Sequence, residues 1–149
     1  MNMSVNTLST FDYNVDKTLD LHGLFHKFCH NLNENNILID SRYFKMLVKH
    51  NMPMTLIQDY LCNVVEKTLT TNTHYVIHAN LESISVFDFN KYQTFILNIT
   101  SVFRARFANR LGKCNLHNTS ILFKIMHGFL KKFLSKEDLD CVIFVKEES

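Results

Sequence analysis

The stretch NRLGKCNLHN, residues 109–118, joins two kinds of pattern. Upstream of it, Tyr92, Phe95, Ile96, Ile99, Val102, Phe103 and Phe107 recur at intervals of three and four, which is one apolar helix face. Lys91, Asn98 and Arg104 fall mainly on the opposite face. Downstream, residues 113–117 (KCNLH) read as a short strand, and Asn118 and Thr119 begin a turn. Between the two, Leu111 closes the helix. Gly112, one of only three glycines, is expected in the left-handed position that ends many helices, where a side chain would be strained.

Working outward from this joint, the same alternation continues. Towards the C-terminus the spacing predicts a helix over 120–134 and a terminal strand over 141–146 (CVIFVK). Towards the N-terminus, Asp88 is placed to cap the helix carrying the apolar face, and residues 75–79 read as a core strand behind the polar turn TTNT at 70–73. Leu56, Ile57, Tyr60, Leu61, Val64, Val65 and Leu69 predict a helix over 53–69, with Pro53 in its first turn, where the missing N–H does no harm. Residues 43–48 (YFKMLV) alternate as a strand does, and 15–32 carry near-helical spacing interrupted by Gly23. The order is one helix followed by β-α-β-α-β-α-β. That order predicts an α/β fold: a small, mostly parallel sheet flanked by helices. Residues 1–14 read as a loose polar arm, and 15–149 as a single domain.

Composition narrows the function classes. One proline, three glycines and 46% apolar residues exclude a disordered or loop-rich chain. The four cysteines, Cys29, Cys62, Cys114 and Cys141, form no CxxC pair and no dense framework, so a reducing, cytoplasmic setting is expected. The first residues, MNMSVNTLSTFDYN, lack the basic start and apolar run of a secretory signal, and no apolar run approaches the length of a membrane span. The net charge of +2 conceals an asymmetry. Residues 1–88 carry 6 basic and 9 acidic side chains, and 137–149 carry 1 and 5. Residues 89–136 carry 9 basic side chains and no acid, which suggests a surface for phosphate head groups, acidic membrane or nucleic acid.

The run HYVIHANLESIS at 74–85, followed by residues 88–145, resembles the CRAL-TRIO lipid-binding family. The matching pieces are NLESIS at 80–85, ANRLGK at 108–113, LHNT at 116–119 and KKFL at 131–134, in the family's order and at its intervals. Departures from the family pattern are specific. Ser120 and Lys132 stand where the family has prolines. Asn109 replaces a glutamate, and Cys141 a lysine, that serve the inositol head group in phosphatidylinositol-binding members. The resemblance implies a CRAL-TRIO-like fold without the usual C-terminal gate region, in a minimal or truncated member of the kind a compact viral genome carries.

The resemblance also implies a non-enzymatic lipid-binding or lipid-transfer protein, peripherally associated with membrane (in the host cytoplasm, if viral). No GxSxG, P-loop, GxGxxG or HExxH pattern points to catalysis. The expected head-group or phosphate site comprises Arg104, Arg106, Arg110, Lys113, Lys124, His127, Lys131 and Lys132, because phosphate needs several N–H donors and positive charge. Phe123, Met126, Phe129, Leu130 and Phe133 are the candidates for acyl-chain or membrane contact. Solvated lysines and ordinary core packing are the plainer readings of the same residues. The expected partner is a phospholipid, a phosphoinositide above others, on anionic membrane. A homodimer through the terminal strand is the alternative, since an exposed edge strand pairs readily. Nucleic acid is disfavoured for want of a recognised motif. His22, His26 and His30 in HGLFHKFCH have i, i+4, i+8 spacing, but with no further ligand in reach they are read as surface histidines. No metal and no cofactor other than a bound lipid is expected.

Overall fold

The computed structural model describes residues 11–145. Along the chain these form α1 (Leu21–Phe28), β1 (Cys29–Asn33), β2 (Asn36–Asp40), α2 (Ser41–Lys49), α3 (Met54–Leu69) and β3 (Tyr75–Asn80). There follow α4 (Val86–Lys91), α5 (Gln93–Phe107), β4 (Leu111–His117), α6 (Phe123–Phe133), α7 (Lys136–Asp140) and β5 (Val142–Phe144). The five strands make one sheet in sequence order. β1 and β2 are an antiparallel hairpin, and β2, β3, β4 and β5 run parallel. The α/β class with a mostly parallel sheet is therefore as expected. The antiparallel hairpin at one edge was not legible, because CHNLN and NILID are five residues each and continue directly out of α1 and into α2.

Local chemistry explains where the elements differ from expectation. Residues 43–48 are helical, not a strand. Asp40 caps α2 by accepting from Arg42 N at 3.1 Å, and Tyr43, Phe44 and Leu47 are buried at i, i+1 and i+4, which is a helix face. α3 starts after Pro53, whose extended backbone makes it the cap rather than the first helical residue. Asp88 acts from inside α4: Ser85 is the cap, and the two close a capping box, with Ser85 N donating to Asp88 Oδ2 at 3.0 Å. After α5 the left-handed residue is Asn109 at φ 63°, not Gly112. Gly112 instead belongs to β4, at the point where the register with β3 slips by one residue, and a side-chain carbon there would stand 3.4 Å from the Tyr75 carbonyl oxygen. The predicted 120–134 helix begins later, at Phe123, because residues 119–122 form a turn closed by Leu122 N to Thr119 O at 2.8 Å. The predicted 141–146 strand is reduced to Val142–Phe144; its last residue lies outside the described residues.

The two faces of the sheet differ. One carries Ile39, Ile77, Ala79 and Leu116 towards α3, α5 and α6. The other carries His78, Asn80, Asn115 and His117. On it His78 donates from Nε2 to Asn36 Oδ1 at 2.9 Å and accepts at Nδ1 from Asn115 Nδ2 at 3.2 Å. His78 is 2% exposed, and burial, then the neighbouring His117, pulls its pKa down to about 4. The segment ahead of α1 is tied to α2: Arg42 donates to the carbonyls of Asp12 and Tyr13, and Tyr43 donates to Asp12 Oδ2 at 2.9 Å.

Candidate functional site

Between the apolar sheet face and helices α5 and α6 lies a half-open cavity of about 320 Å³. The volume is at the lower end of the range of ~300–1,000 Å³ usual for small-molecule sites. Its floor is Ile39, Tyr75, Ile77, Ala79, Cys114, Leu116 and Val142 from four parallel strands. Its wall is the apolar face of α5, here Phe95, Ile96, Ile99, Phe103 and Phe107. Met126, Phe129, Leu130 and Leu134 close it from α6, and Phe28, Phe44 and Leu61 bound it from α1, α2 and α3. Phe129 stacks edge-on against Phe89 of α4 at 5.2 Å, which holds α6 over the space.

Polar groups occur at its two ends. At one, Asp88 accepts from Lys45 Nζ at 3.1 Å, beside Ser41. That ion pair and the Ser85 amide keep the Asp88 carboxyl below its usual range despite its partial burial. At the other end are Thr100, Arg104, Asp138 and Tyr75. Arg104 reaches across to donate to the carbonyl of Phe133 at the end of α6, so it fastens the α6 C-terminus to α5. Burial raises the Cys114 thiol to about 12, with nearby Cys141 as a second cause, so this thiol is not a nucleophile at neutral pH.

The eight basic residues singled out in the sequence do not gather at one point. Arg104 lines the cavity rim. Arg106 pairs with Glu66 of α3, and Arg110 donates from Nε to Thr73 O at 2.9 Å and from Nη2 to Asn72 O at 3.2 Å. These two hold the end of α3 and the loop before β3, and face a separate shallow groove with Thr70. Lys113 is exposed on β4, in register with Val76. Lys124, His127, Lys131 and Lys132 are exposed on α6, where the His127 ring stacks on Phe123 at 5.9 Å.

Of the apolar candidates, Met126, Phe129 and Leu130 line the cavity. Phe123 and Phe133 do not; they are 45% and 41% exposed beside the α6 lysines, with Ile121 and Ile125 exposed near them. The sequence reading assigned the α5 stripe to a helix face without marking it as a cavity wall, and it did not single out Tyr75. Periodicity reports that a face avoids water, not what lies opposite it. The histidines of residues 22–30 do not form one helix face: α1 ends at Phe28, so His30 belongs to β1, although its ring still stacks on His26 at 4.7 Å.

Comparison with known proteins follows this geometry. The family model of the CRAL/TRIO domain matches residues 33–149. A search of curated proteins found no match. Among solved structures, the crystal structure of Sfh5 superposes with a TM-score of 0.64 at 15% identity, covering 95% of this chain and 53% of that one. The chain thus spans about half the length of that protein and shares its fold.

Proposed function

Because this chain belongs to the CRAL/TRIO family, we propose that it is a non-enzymatic lipid-binding protein whose apolar cavity holds lipid tail and whose α6 surface meets an anionic membrane. The cavity is the observation that carries this reading. Its lining is mostly aliphatic and aromatic, with few hydrogen-bonding groups among them, as suits a chain with a polar terminus. α6 supports the membrane half. It presents Lys124, Lys131 and Lys132 together with Phe123, Ile125 and Phe133, all exposed, and its own residues include no carboxylate. Basic side chains near an anionic surface contribute about 1 kcal/mol each, and exposed aromatic and aliphatic groups enter the interface beside them.

In its finer form the proposal names a phosphoinositide, at the cytoplasmic surface of a membrane, as the lipid that the α6 lysines meet. Arg106 and Arg110 contribute less to such a contact than their sequence position suggests, since both have protein partners. Liposome flotation checks this, with lipid extracted from the purified protein as a parallel measurement. Wild type is expected to float with phosphoinositide vesicles and not with neutral ones, and a Lys124→Glu, Lys131→Glu double variant is expected to lose at least tenfold. Absence of both flotation and co-purified lipid would sink the reading.

Association through β5 is a second reading. β5 pairs with β4 on one side, and Ile143 on it is 40% exposed. A mass from light scattering that stays monomeric at high concentration excludes it.

A further inference from the structure

Among the described residues the most exposed large apolar side chains are Tyr13, Ile121 and Phe87, at 95%, 82% and 73%. They are far apart in sequence, and the topology brings them to one edge of the molecule. β2, β3, β4 and β5 run parallel, so their last residues, Asp40, Asn80, His117 and Phe144, share one edge of the sheet. The chain leaving β3 there leads to Phe87, and the chain leaving β4 leads to Ile121. Leu81 N donates to His117 O at 3.0 Å and holds these two connections side by side. Arg42 brings Tyr13 to the same edge: it donates to the Tyr13 carbonyl while pairing with Asp40 and Glu82. Local structure turns the side chains outward. Phe89 is buried against Phe129, and Phe87, about 200° round α4 from it, faces the other way. Leu122 is buried in the turn that its N–H closes on Thr119 O, which leaves Ile121 outside.

Apolar side chains scattered singly over a surface need no explanation, but a set that meets at one edge does. Tyr13, Phe87 and Ile121 project from separate segments, and none of them lines the cavity or the groove beside Thr70. Isolated projections suit a deformable bilayer better than a groove-bound partner. Charge agrees. The carboxylates nearest them are paired, Asp12 with Lys27, Asp40 and Glu82 with Arg42, and Asp88 with Lys45, while Lys124 is exposed on the first turn of α6. An anionic surface therefore meets little repulsion at this edge. On the reading that this chain meets an anionic membrane, we propose that it docks edge-on, with Tyr13, Phe87 and Ile121 entering the bilayer interface. Tyrosine suits the headgroup level, and Phe and Ile reach the acyl boundary. Lys131 and Lys132, at the far end of α6, attract the surface from a distance. Leu81 and Ile84, in the connection before Phe87, line the cavity, so an edge-on dock sets that end of it against the bilayer.

The chain contains no Trp, so a single introduced one reports its own depth. Phe87→Trp and Ile121→Trp are compared with Lys67→Trp, exposed in the last turn of α3 at the opposite edge. Each is mixed with vesicles of phosphatidylcholine, phosphatidylserine and a phosphoinositide, with brominated acyl chains. Emission from positions 87 and 121 should shift to the blue and fall about twofold or more, and emission from position 67 should not change. On the same vesicles without bromine, a Tyr13→Ser, Phe87→Ser, Ile121→Ser triple variant should float at least about tenfold less than wild type, with an unchanged denaturant midpoint. The Trp variants keep the apolar bulk and decide the matter if the triple variant misfolds. Protein that floats with either position 87 or 121 unquenched, equal quenching at 67, or a folded triple variant that floats like wild type overturns the edge-on dock and leaves the membrane reading standing. If wild type does not float on these vesicles, the dock and the membrane half of the reading fall together.

Discussion

Helices α3 and α5 carry apolar stripes of similar length and period, yet they meet different surroundings. In α3, Ile57, Leu61, Cys62, Val65 and Thr68 are all buried. In α5, Phe107 alone is buried, and Phe95, Ile96, Ile99 and Phe103 are only partly buried. The same contrast divides the molecule. The first half, from α1 to α3, is filled: Tyr43, Leu47, Ile37 and Ile57 have no exposed surface. The second half is hollow, with α5 and α6 standing off the sheet around the cavity. An apolar face left only partly covered is unusual, because interiors fill to crystal-like density. Where one persists, it reserves room for something else.

The largest effect expected from testing this contrast is in the filled half. Tyr43→Ala leaves a void and removes a hydroxyl that donates to Asp12 and accepts from Asp16 N at 3.0 Å. It should cost about 3–5 kcal/mol, read from the denaturant midpoint. A loss under about 1 kcal/mol would show that the first half is no better filled than the second.

Next is the ion pair beneath it. Arg42 donates to Asp40 Oδ1 from Nε at 3.0 Å and to Oδ2 from Nη2 at 2.8 Å, with both side chains nearly buried. Arg42→Gln leaves the Asp40 charge buried without its cation and should cost about 3 kcal/mol. Replacing Lys27, whose pairing with Asp12 is more exposed, should cost well under 1 kcal/mol in the same titration.

His78 supplies a pH-dependent effect of intermediate size. Its folded pKa, about 4, lies below the ordinary value near 6.5, so protonation favours the unfolded chain. Its contribution is complete above about pH 6.5 and is lost as pH falls from there through about 4, by on the order of 2–3 kcal/mol. His78→Gln should flatten that part of the stability profile. An unchanged slope between pH 6.5 and 4 would show that His78 titrates normally.

The smallest effect belongs to the hollow half. Ile99→Ala, facing open space, should cost less than about 1.5 kcal/mol, because little packing is there to lose. A cost equal to that of Leu47→Ala, expected at about 2–5 kcal/mol, would mean that α5 is packed like α3 and that no cavity exists in solution.

Much of the fold was written in local pattern. The 53–69 and 92–107 stripes, the β-branched and aromatic 75–79 run and the short run after Leu111 each became the element their period implied. The alternation of helix and strand gave the parallel sheet. The errors arose where two short signals competed. YFKMLV reads as a strand by alternation, and the Asp40 cap with burial at Tyr43, Phe44 and Leu47 made it a helix. Gly112 was assigned the left-handed turn, and Asn109 took it, because an asparagine side chain tolerates that backbone and the glycine was needed where β4 slips against β3.

For the site, the sequence by itself determined that 89–136 is basic and that α5 and α6 are amphipathic, since charge and period are properties of the chain read in order. It also supplied the ordered motifs that place the chain in its family. Only the tertiary structure decided that Arg106 and Arg110 face Glu66 and the 72–73 carbonyls, that the α6 lysines stand apart from them, and that the α5 stripe borders a cavity with Tyr75 in its floor. The physical reason is one of range. A helix face is set by neighbours three and four residues away, whereas a cavity is set by how far separate elements stand from one another, and that distance depends on residues remote in sequence packing elsewhere.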